Sequence, residues 1–263
     1  MITLEINKQA VAASFSKAAT CYDEFAQFQR DVGHNLLNEV LKKSLQPYSI
    51  LDLGCGTGYF TTYLRAQFPI ASITCFDLSN AMLTQVKERE IKDVRCQLGD
   101  LDHLPFQNEE FDFIFSNLAI QWSNDICACL MQVKSSLKNN GEFHFSTLLD
   151  GTLLELTEAW KMVDNNAHTN TFLTRTQLQK AIKSTGFSSV ELCVIPHVLY
   201  YSNVLELMRS LKGVGANHVH QGDQSKITGR ATLKKLEIGY APFINYQGLL
   251  PLTYQVCNVI LNK

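Results

Sequence analysis

A short apolar run, Tyr48-Ser49-Ile50-Leu51-Asp52-Leu53, leads straight into Gly54-Cys55-Gly56-Thr57-Gly58, and a helix-like stretch over 60–68 follows, stopped by Pro69. A strand that feeds a helix through three glycines restricts the fold more than any other feature of the chain. Glycine permits the sharp turn and brings backbone N–H groups close to a ligand.

The same alternation continues. Ser72–Asp77 reads as a second strand, with Ser79 as N-cap of a helix that carries Met82, Leu83 and Val86. Val94–Leu98 is a third strand, running into Gly99-Asp100, and Phe111–Asn117 a fourth. A helix over about 125–137 leads through Asn139-Asn140-Gly141 to a fifth strand at 142–148. Thr174 caps a further helix, with Gln177 three residues on and Gly186 at its end. Strands are expected again at about 188–200 and 252–261. Parallel strands need a crossover, so strands separated by helices of this length predict an α/β fold with a mainly parallel, three-layer sheet.

Three segments decorate that core. Residues 8–45 place apolar or small residues close to helical period. Residues 151–173 interrupt the alternation, and 203–247 form a partly helical insertion. No repeat or low-complexity linker divides the chain. Residues 1–263 are therefore expected as a single domain, with 48–148 as its ligand-binding core.

Charge and cysteine content narrow the function classes. A formal net charge of −2 gives no global pull toward nucleic acid or a membrane surface. No apolar run approaches the roughly 20 residues of a membrane helix, and Met1-Ile2-Thr3-Leu4-Glu5 lacks the features of a secretory signal. A cytoplasmic protein is the default expectation. The eight cysteines include no CxxC pair, and Cys127-Ala128-Cys129 has no partner pair at zinc spacing. Free, mostly buried thiols and no metal site are expected.

The glycine spacing is G-x-G-x-G, not the G-x-G-x-x-G of dinucleotide folds. Acids stand at three successive strand ends: Asp52 before the glycines, Asp77 after strand two, Asp100 after strand three. In open α/β sheets that edge binds ligands. Asp77 is placed to accept ribose hydroxyls, Asp100 to reach an adenine amino group, and Asp52 to meet an ammonium. S-adenosylmethionine (AdoMet) is a sulfonium cation with an amino acid tail, which suits carboxylates. A pyrophosphate prefers N–H groups without nearby acids, which disfavours an NAD enzyme.

These residues resemble the class I AdoMet-dependent methyltransferases. The resemblance rests on Ile50-Leu51-Asp52-Leu53-Gly54-Cys55-Gly56-Thr57-Gly58, on Asp77-Leu78-Ser79 followed by Met82-Leu83, on Gly99-Asp100, and on Leu104-Pro105-Phe106 before Phe111-Asp112. It implies a Rossmann-like, mainly parallel seven-stranded sheet with an antiparallel last strand and helical lid insertions. It further implies S-adenosyl-L-methionine as cofactor, contacted by Gly54, Gly56, Asp77 and their neighbours Asp52, Gly58 and Leu78. Met82 would pack on adenine, Asp100 and Leu101 would hold its edge, and Asn117 would face the methionine end. Asn139-Asn140-Gly141 departs from the Pro-Gly-Gly of many relatives, at a turn away from the cofactor edge.

The decorations resemble a narrower family, the malonyl-acyl-carrier-protein O-methyltransferases of biotin synthesis. The strings include Val11-Ala12-Ala13-Ser14-Phe15 with Tyr22-Asp23, Gln29-Arg30, Ser116-Asn117-Leu118-Ala119 with Gln121-Trp122, Ala159-Trp160, His168 and Asn170 before Phe172-Leu173, and Leu207-Met208-Arg209-Ser210-Leu211-Lys212 before Gly215-Ala216. The implied reaction is attack of a malonyl carboxylate on the AdoMet methyl. That carboxylate is ionised at neutral pH, with a pKa of roughly 4, so binding and orientation are needed and a general base is not.

Four residues are candidates for the acceptor side. Arg209, amid Leu205, Leu207, Met208 and Leu211, either grips the carboxylate or sits on the outer face of an amphipathic helix. Tyr22 either donates to the carboxylate and shields the sulfonium, or packs in a core with Phe15 and Phe25. His168 lines the substrate mouth or stabilises its loop, and Trp122 walls the acceptor site or packs as an ordinary aromatic. The implied partner is a malonylated acyl carrier protein, or malonyl-CoA. Acyl carriers are acidic, and between Arg209 and Lys235 stand six basic residues (Arg209, Lys212, Lys226, Arg230, Lys234, Lys235) against Asp223, whereas 100–112 holds five acids and no Lys or Arg. That stretch is either a docking face or a solvated helix surface. The rival functions are a class I methyltransferase for another small molecule and a non-catalytic AdoMet-binding scaffold.

Overall fold

The computed structural model describes residues 6–215 and 229–263. Seven strands form one sheet: β1 (Ser49–Leu53), β2 (Ser72–Asp77), β3 (Val94–Leu98), β4 (Phe111–Asn117), β5 (Leu137–Leu148), β6 (Ser189–Tyr201) and β7 (Leu250–Asn262). Their order is β3-β2-β1-β4-β5-β7-β6. β1 pairs in parallel with β2 and β4, β2 with β3, and β4 with β5. β7 inserts between β5 and β6 and runs antiparallel to both. The expected mainly parallel sheet with an antiparallel last strand is the observed one. The order reverses between β1 and β4, and the carboxyl ends flanking that reversal open a crevice.

Helices cover both faces. α3 (Gln27–Leu41), α4 (Tyr59–Gln67) and α5 (Asn80–Glu88) bury Leu36, Leu37, Leu64, Leu83 and Val86 against Ile50, Ile73, Phe113 and Phe115. On the other face α6 (Ile126–Ser136) and α8 (Arg175–Thr185) bury Leu130, Val133, Leu178 and Ile182 against Leu51, Leu53, Ile114 and Phe143. The strict alternation of Ile50 and Leu51 between the two clusters follows from the strand's period of two. A third cluster joins α7 (Leu154–Trp160), α9 (Val204–Gly213) and α10 (Arg230–Tyr240) to the ends of β6 and β7 and to Phe28 and Val32 of α3. The insertions at 151–173 and 203–247 thus build their own apolar layer. Lys226 and Asp223 of the basic stretch, and Ala216, lie outside the described residues.

Two local readings change. Residues 8–45 are broken into α1 (Lys8–Ala18), α2 (Tyr22–Phe25) and α3. No glycine or proline marks the breaks. The short α2 between them is held by a long-range bond, in which Asp23 accepts from the Thr57 hydroxyl at 2.8 Å. β5 starts at Leu137, straight out of α6, rather than at Glu142 after a turn. Leu137 pairs with Phe111, and a register shift follows on β4 between Phe111 and Phe113. Asn140 takes the left-handed conformation at φ 64°. A side chain at Gly141 would meet the Lys138 and Asp112 carbonyls at 2.9 and 3.1 Å, so glycine is required there without a formal turn.

The eight cysteines are free: Cys55, Cys75, Cys129 and Cys257 are buried, Cys21, Cys96 and Cys127 partly so, and Cys193 is exposed. Among the described residues no helix is long and apolar enough to cross a membrane.

The Thr174 cap has the expected reciprocal form. Its hydroxyl accepts from Gln177 N–H, and the Gln177 side chain accepts from Thr174 N–H at 2.8 Å. Thr174→Ala is expected to lower the unfolding free energy by about 1 kcal/mol. An unshifted urea midpoint would contradict this.

Candidate cofactor and acceptor site

The glycine loop is shaped by bonds to the neighbouring strand. Gly54 and Cys55 N–H both donate to the Phe76 carbonyl, at 2.7 and 3.1 Å. Gly54 has φ +75°, and a side chain on it would strike the Ala119 Cβ at 2.2 Å. Gly56 has φ +55°, and a side chain there would meet nothing within 4 Å. The loop is thus closed behind Gly54 and open in front of Gly56, as a bound ligand requires.

Asp77 fixes the open side. Its Oδ2 accepts from Gly56 N–H at 2.9 Å and its Oδ1 from Ser79 N–H at 2.8 Å. Burial raises its pKa, against the N–H groups of Ser79, Gly56 and Leu78, which favour the charged form. Each oxygen keeps a second acceptor position for a ligand hydroxyl.

These residues open onto a cavity of 1320 Å³. Ligand pockets usually span ~300–1,000 Å³, so there is room for a cofactor and a second molecule. Gly54, Gly56, Asp77, Leu78, Met82, Asp100, Leu101 and Asn117 line it, as expected, and so do Tyr22, Trp122, His168 and Arg209. Residues from the β-strand ends, the amino-terminal helices and the two insertions therefore meet in one space.

Two expected cofactor residues do not. Asp52 is 2% exposed and lies outside the cavity wall, where its Oδ2 accepts from the Thr61 hydroxyl at 2.6 Å. Parity explains this: Asp52 shares a strand face with Ile50, which packs beneath α3 and α4. Gly58 also stands off the wall. It is the left-handed N-cap of α4, and a side chain there would meet Val86 at 3.0 Å, so its role is in the turn.

The amino-terminal helices close the cavity through charged and polar contacts that the sequence pattern did not reveal. Lys8 pairs with Asp100 at 2.7 Å and Asp102 at 2.8 Å. Burial would raise the Asp102 carboxyl, but hydrogen bonds from Lys8, Ser123 and Asn124 hold it below its ordinary value. The Ser16 and Ser79 hydroxyls share a 2.9 Å hydrogen bond. Asp23 bridges the Thr57 hydroxyl and the Arg89 guanidinium, and Arg89 also donates to the Thr57 carbonyl at 2.7 Å. The Tyr22-Asp23 string was the one sequence signal for this last contact.

The acceptor candidates have distinct settings. The Tyr22 hydroxyl is held neutral: burial raises its pKa, as do the charges of Asp77 and Asp23, against Arg30. Trp122 meets Phe15 edge-on at 5.4 Å between ring centres. His168 stacks on Trp160 at 3.7 Å and bonds Asp164 at 2.7 Å, so the ring both lines the cavity and anchors its loop. Asn117 donates to the Gln29 carbonyl at 2.9 Å and accepts from Ser146 at 2.7 Å. Arg209 is exposed, lines the cavity, and forms no ion pair among the described residues.

A three-layer α/β fold with a G-x-G-x-G loop and a ribose-type carboxylate at the sheet's switch point fits a class I AdoMet-dependent methyltransferase. Residues 51–145 match the methyltransferase-domain family model. The fold is also that of a solved putative methyltransferase from Bacillus halodurans, with TM-score 0.62, 15% identity, and 88% of this chain and 99% of that one covered. The particular family follows from whole-length relatives. The chain is 39% identical over 258 residues to a malonyl-[acyl-carrier protein] O-methyltransferase of Serratia marcescens, covering 98% of this chain and 97% of that protein. It is 36% identical to the biotin biosynthesis bifunctional protein BioHC of Cellvibrio japonicus, over 98% of this chain and 51% of that protein. The chain belongs to the malonyl-[acyl-carrier protein] O-methyltransferase family, and its cofactor is S-adenosyl-L-methionine.

Asp52 gives a pH signature. Burial pushes its pKa up to about 7 from 3.8, with the Thr61 hydrogen bond opposing and Asp77 adding. The folded state then holds a proton that the unfolded state has released, so stability falls as pH rises through that window. Asp52→Asn should remove the fall. Relative to the variant, the parent should lose up to roughly 1.4 kcal/mol per pH unit between about pH 4 and 7. Parallel urea-unfolding profiles across this range would contradict the assignment.

Proposed function

We propose that this chain methylates the free carboxylate of a malonyl thioester carried on an acyl carrier protein, giving a methyl ester that serves biotin synthesis. The observation that carries the reading is the polarity of one cavity. Its lining acids, Asp77 and Asp100, belong to the β2 and β3 ends, where Lys8 pairs with Asp100, whereas the unpaired cations Arg209 and Lys212 belong to α9. A cationic cofactor suits the first end and an anionic acceptor the second. The single-unit arrangement of core, amino-terminal cover and insertions supports it, since all three contribute to the wall. Eight free cysteines suit the reducing cytoplasm.

AdoMet supplies an electrophilic methyl group on a sulfonium. The protein's part is to bind, orient and exclude water. Asp77 takes the ribose hydroxyls with its remaining acceptor positions, Met82 packs on the adenine, Asp100 and Leu101 meet its edge, and Asn117 stands at the methionine end. Arg209 takes one carboxylate oxygen of the acceptor in a charge-assisted hydrogen bond. The neutral Tyr22 hydroxyl donates a hydrogen bond without adding negative charge beside the nucleophile. Trp122 and His168 wall the acceptor space. No residue needs to remove a proton, because the acceptor arrives ionised.

Arg209→Ala should reduce turnover of the malonyl thioester by at least about thirtyfold, while AdoMet affinity measured by calorimetry stays within twofold. Equal turnover in the variant would sink the assignment. The function itself is tested by mass analysis of malonylated carrier protein after incubation with enzyme and AdoMet. One added methyl is expected. Methylation of free small acids with none on the thioester would favour a different acceptor, and binding without any transfer would favour a scaffold.

A further inference from the structure

One polar side chain on the cavity wall has no partner and no part in the contacts assigned so far. Gln29, in the first turn of α3, lines the cavity, and its Oε1 is buried without a hydrogen bond. Buried acceptors are nearly always paired, because an unpaired one has given up water for nothing. The backbone at this position does not explain the exception. The Gln29 carbonyl accepts from the Asn117 amide at 2.9 Å, which ties α3 to the end of β4 whatever the side chain does. Phe28 stacks on Tyr254 at 4.1 Å between ring centres, and a side chain at Gly33 would strike the Phe60 ring at 2.1 Å. The carboxamide is thus mounted on a helix held closely on both sides.

The strand order says which part of the cofactor reaches it. Asp100, Asp77, the glycine loop and Asn117 stand at or just beyond the ends of β3, β2, β1 and β4, and those strands are neighbours in that order. On the contacts proposed above, adenine meets Asp100 and ribose meets Asp77. The amino acid tail then continues over the glycine loop to the β4 end. Its ammonium was expected to meet Asp52, but Asp52 lies off the wall and bonds Thr61. Among the described residues the acids on the wall are Asp77 and Asp100, both at the nucleoside end. Asn117 commits its Nδ2 to the Gln29 carbonyl and its Oδ1 to Ser146. Of the polar side chains that α3 and β4 present to the cavity, Gln29 keeps an unused acceptor.

We infer that Gln29 is a cofactor-binding residue, whose Oε1 accepts a hydrogen bond from the α-ammonium of S-adenosylmethionine. The last torsion of a glutamine side chain is soft, so the oxygen turns onto the cavity without movement of α3. The ammonium is the donor of the tail, and Oε1 is an acceptor that lacks a donor. A bond with one charged partner is stronger than a neutral one. The inference rests on the order of adenine and ribose along the sheet edge, and it is independent of the acceptor.

The test is calorimetry on the full chain with three probes. S-adenosylhomocysteine keeps the tail, its deamino analogue lacks the amino group alone, and 5′-methylthioadenosine lacks the whole amino acid portion. The parent should bind S-adenosylhomocysteine at least about tenfold more tightly than the deamino analogue, the size of one charge-assisted bond. Gln29→Leu should cut that ratio by about tenfold, and Gln29→Glu, which keeps an acceptor at the same reach, should preserve it. Both variants should bind 5′-methylthioadenosine within about twofold of the parent. A parent that binds the first two probes alike overturns the inference, as does an unchanged ratio in Gln29→Leu or a lost one in Gln29→Glu. Equal weakening of S-adenosylhomocysteine and its deamino analogue overturns it as well, because a merely structural role affects both. Weakening of 5′-methylthioadenosine to the same degree would set the side chain against the nucleoside, and would overturn the order along the sheet edge together with the inference. No probe donates or accepts a methyl group, so each outcome leaves the malonyl assignment to its own test.

Discussion

The Asp77 carboxylate stands at the end of β2 and takes the backbone N–H groups of Gly56 and Ser79, one on each oxygen. The loop after β1 and the helix after β2 are therefore set by one side chain. Gly54 and Cys55 donate to the Phe76 carbonyl one residue earlier, so the loop is held to β2 at two successive positions. Such an arrangement needs the parallel register that places Leu53 opposite Phe76. The open space before Gly56 exists because these bonds draw the loop back. Burial of the carboxylate works against its charge, and the N–H groups offset this cost.

The amino-terminal cover depends on that same edge. Lys8 reaches Asp100 at the end of β3, Ser16 meets Ser79 at the start of α5, and Asp23 meets Thr57 inside the glycine loop. Each contact lands on a segment that also lines or shapes the cofactor end of the cavity. Lys8 occupies one oxygen of Asp100, the acid expected beside the adenine. On the cofactor contacts proposed above, cofactor and cover share anchoring groups, and the ion pairs among them weaken as ionic strength rises.

The parts of this architecture legible in the sequence were those governed by local rules. The β1 to β4 strands, the Ser79 and Thr174 caps and the glycine loop all follow from short-range pattern, and the structure places them as read. The antiparallel direction of β7 followed from family resemblance alone, and its position between β5 and β6 was not read, because two late strands in a row do not declare their order. The break between α1 and α2 had no local signal. Just beyond it stands Asp23, whose partners Thr57 and Arg89 lie 34 and 66 residues away. Asp52 is the residue at which two readings of the sequence diverge. Its two-residue spacing from Ile50 already assigns it to the face beneath α4, whereas proximity to the glycines suggested the ligand.

The charge layout of the cavity also bears on what happens after transfer. A sulfonium and a carboxylate enter the proposed reaction as opposite charges, and a thioether and an ester leave it with neither. The Arg209 end then loses the charge it attracts, whereas the proposed contacts of Asp77 with ribose and of Asp100 with adenine are unchanged by the transfer. For the acceptor, the contacts that remain in the proposed reaction are neutral hydrogen bonds and apolar packing against wall residues such as Trp122 and Leu205. Charge-assisted bonds are roughly twice as strong as neutral ones, so under the proposed role of Arg209 the wall holds the acceptor more tightly than its methyl ester. On that proposal, discrimination between malonyl and its methyl ester requires no additional device, because Arg209 has no protein carboxylate to satisfy it among the described residues.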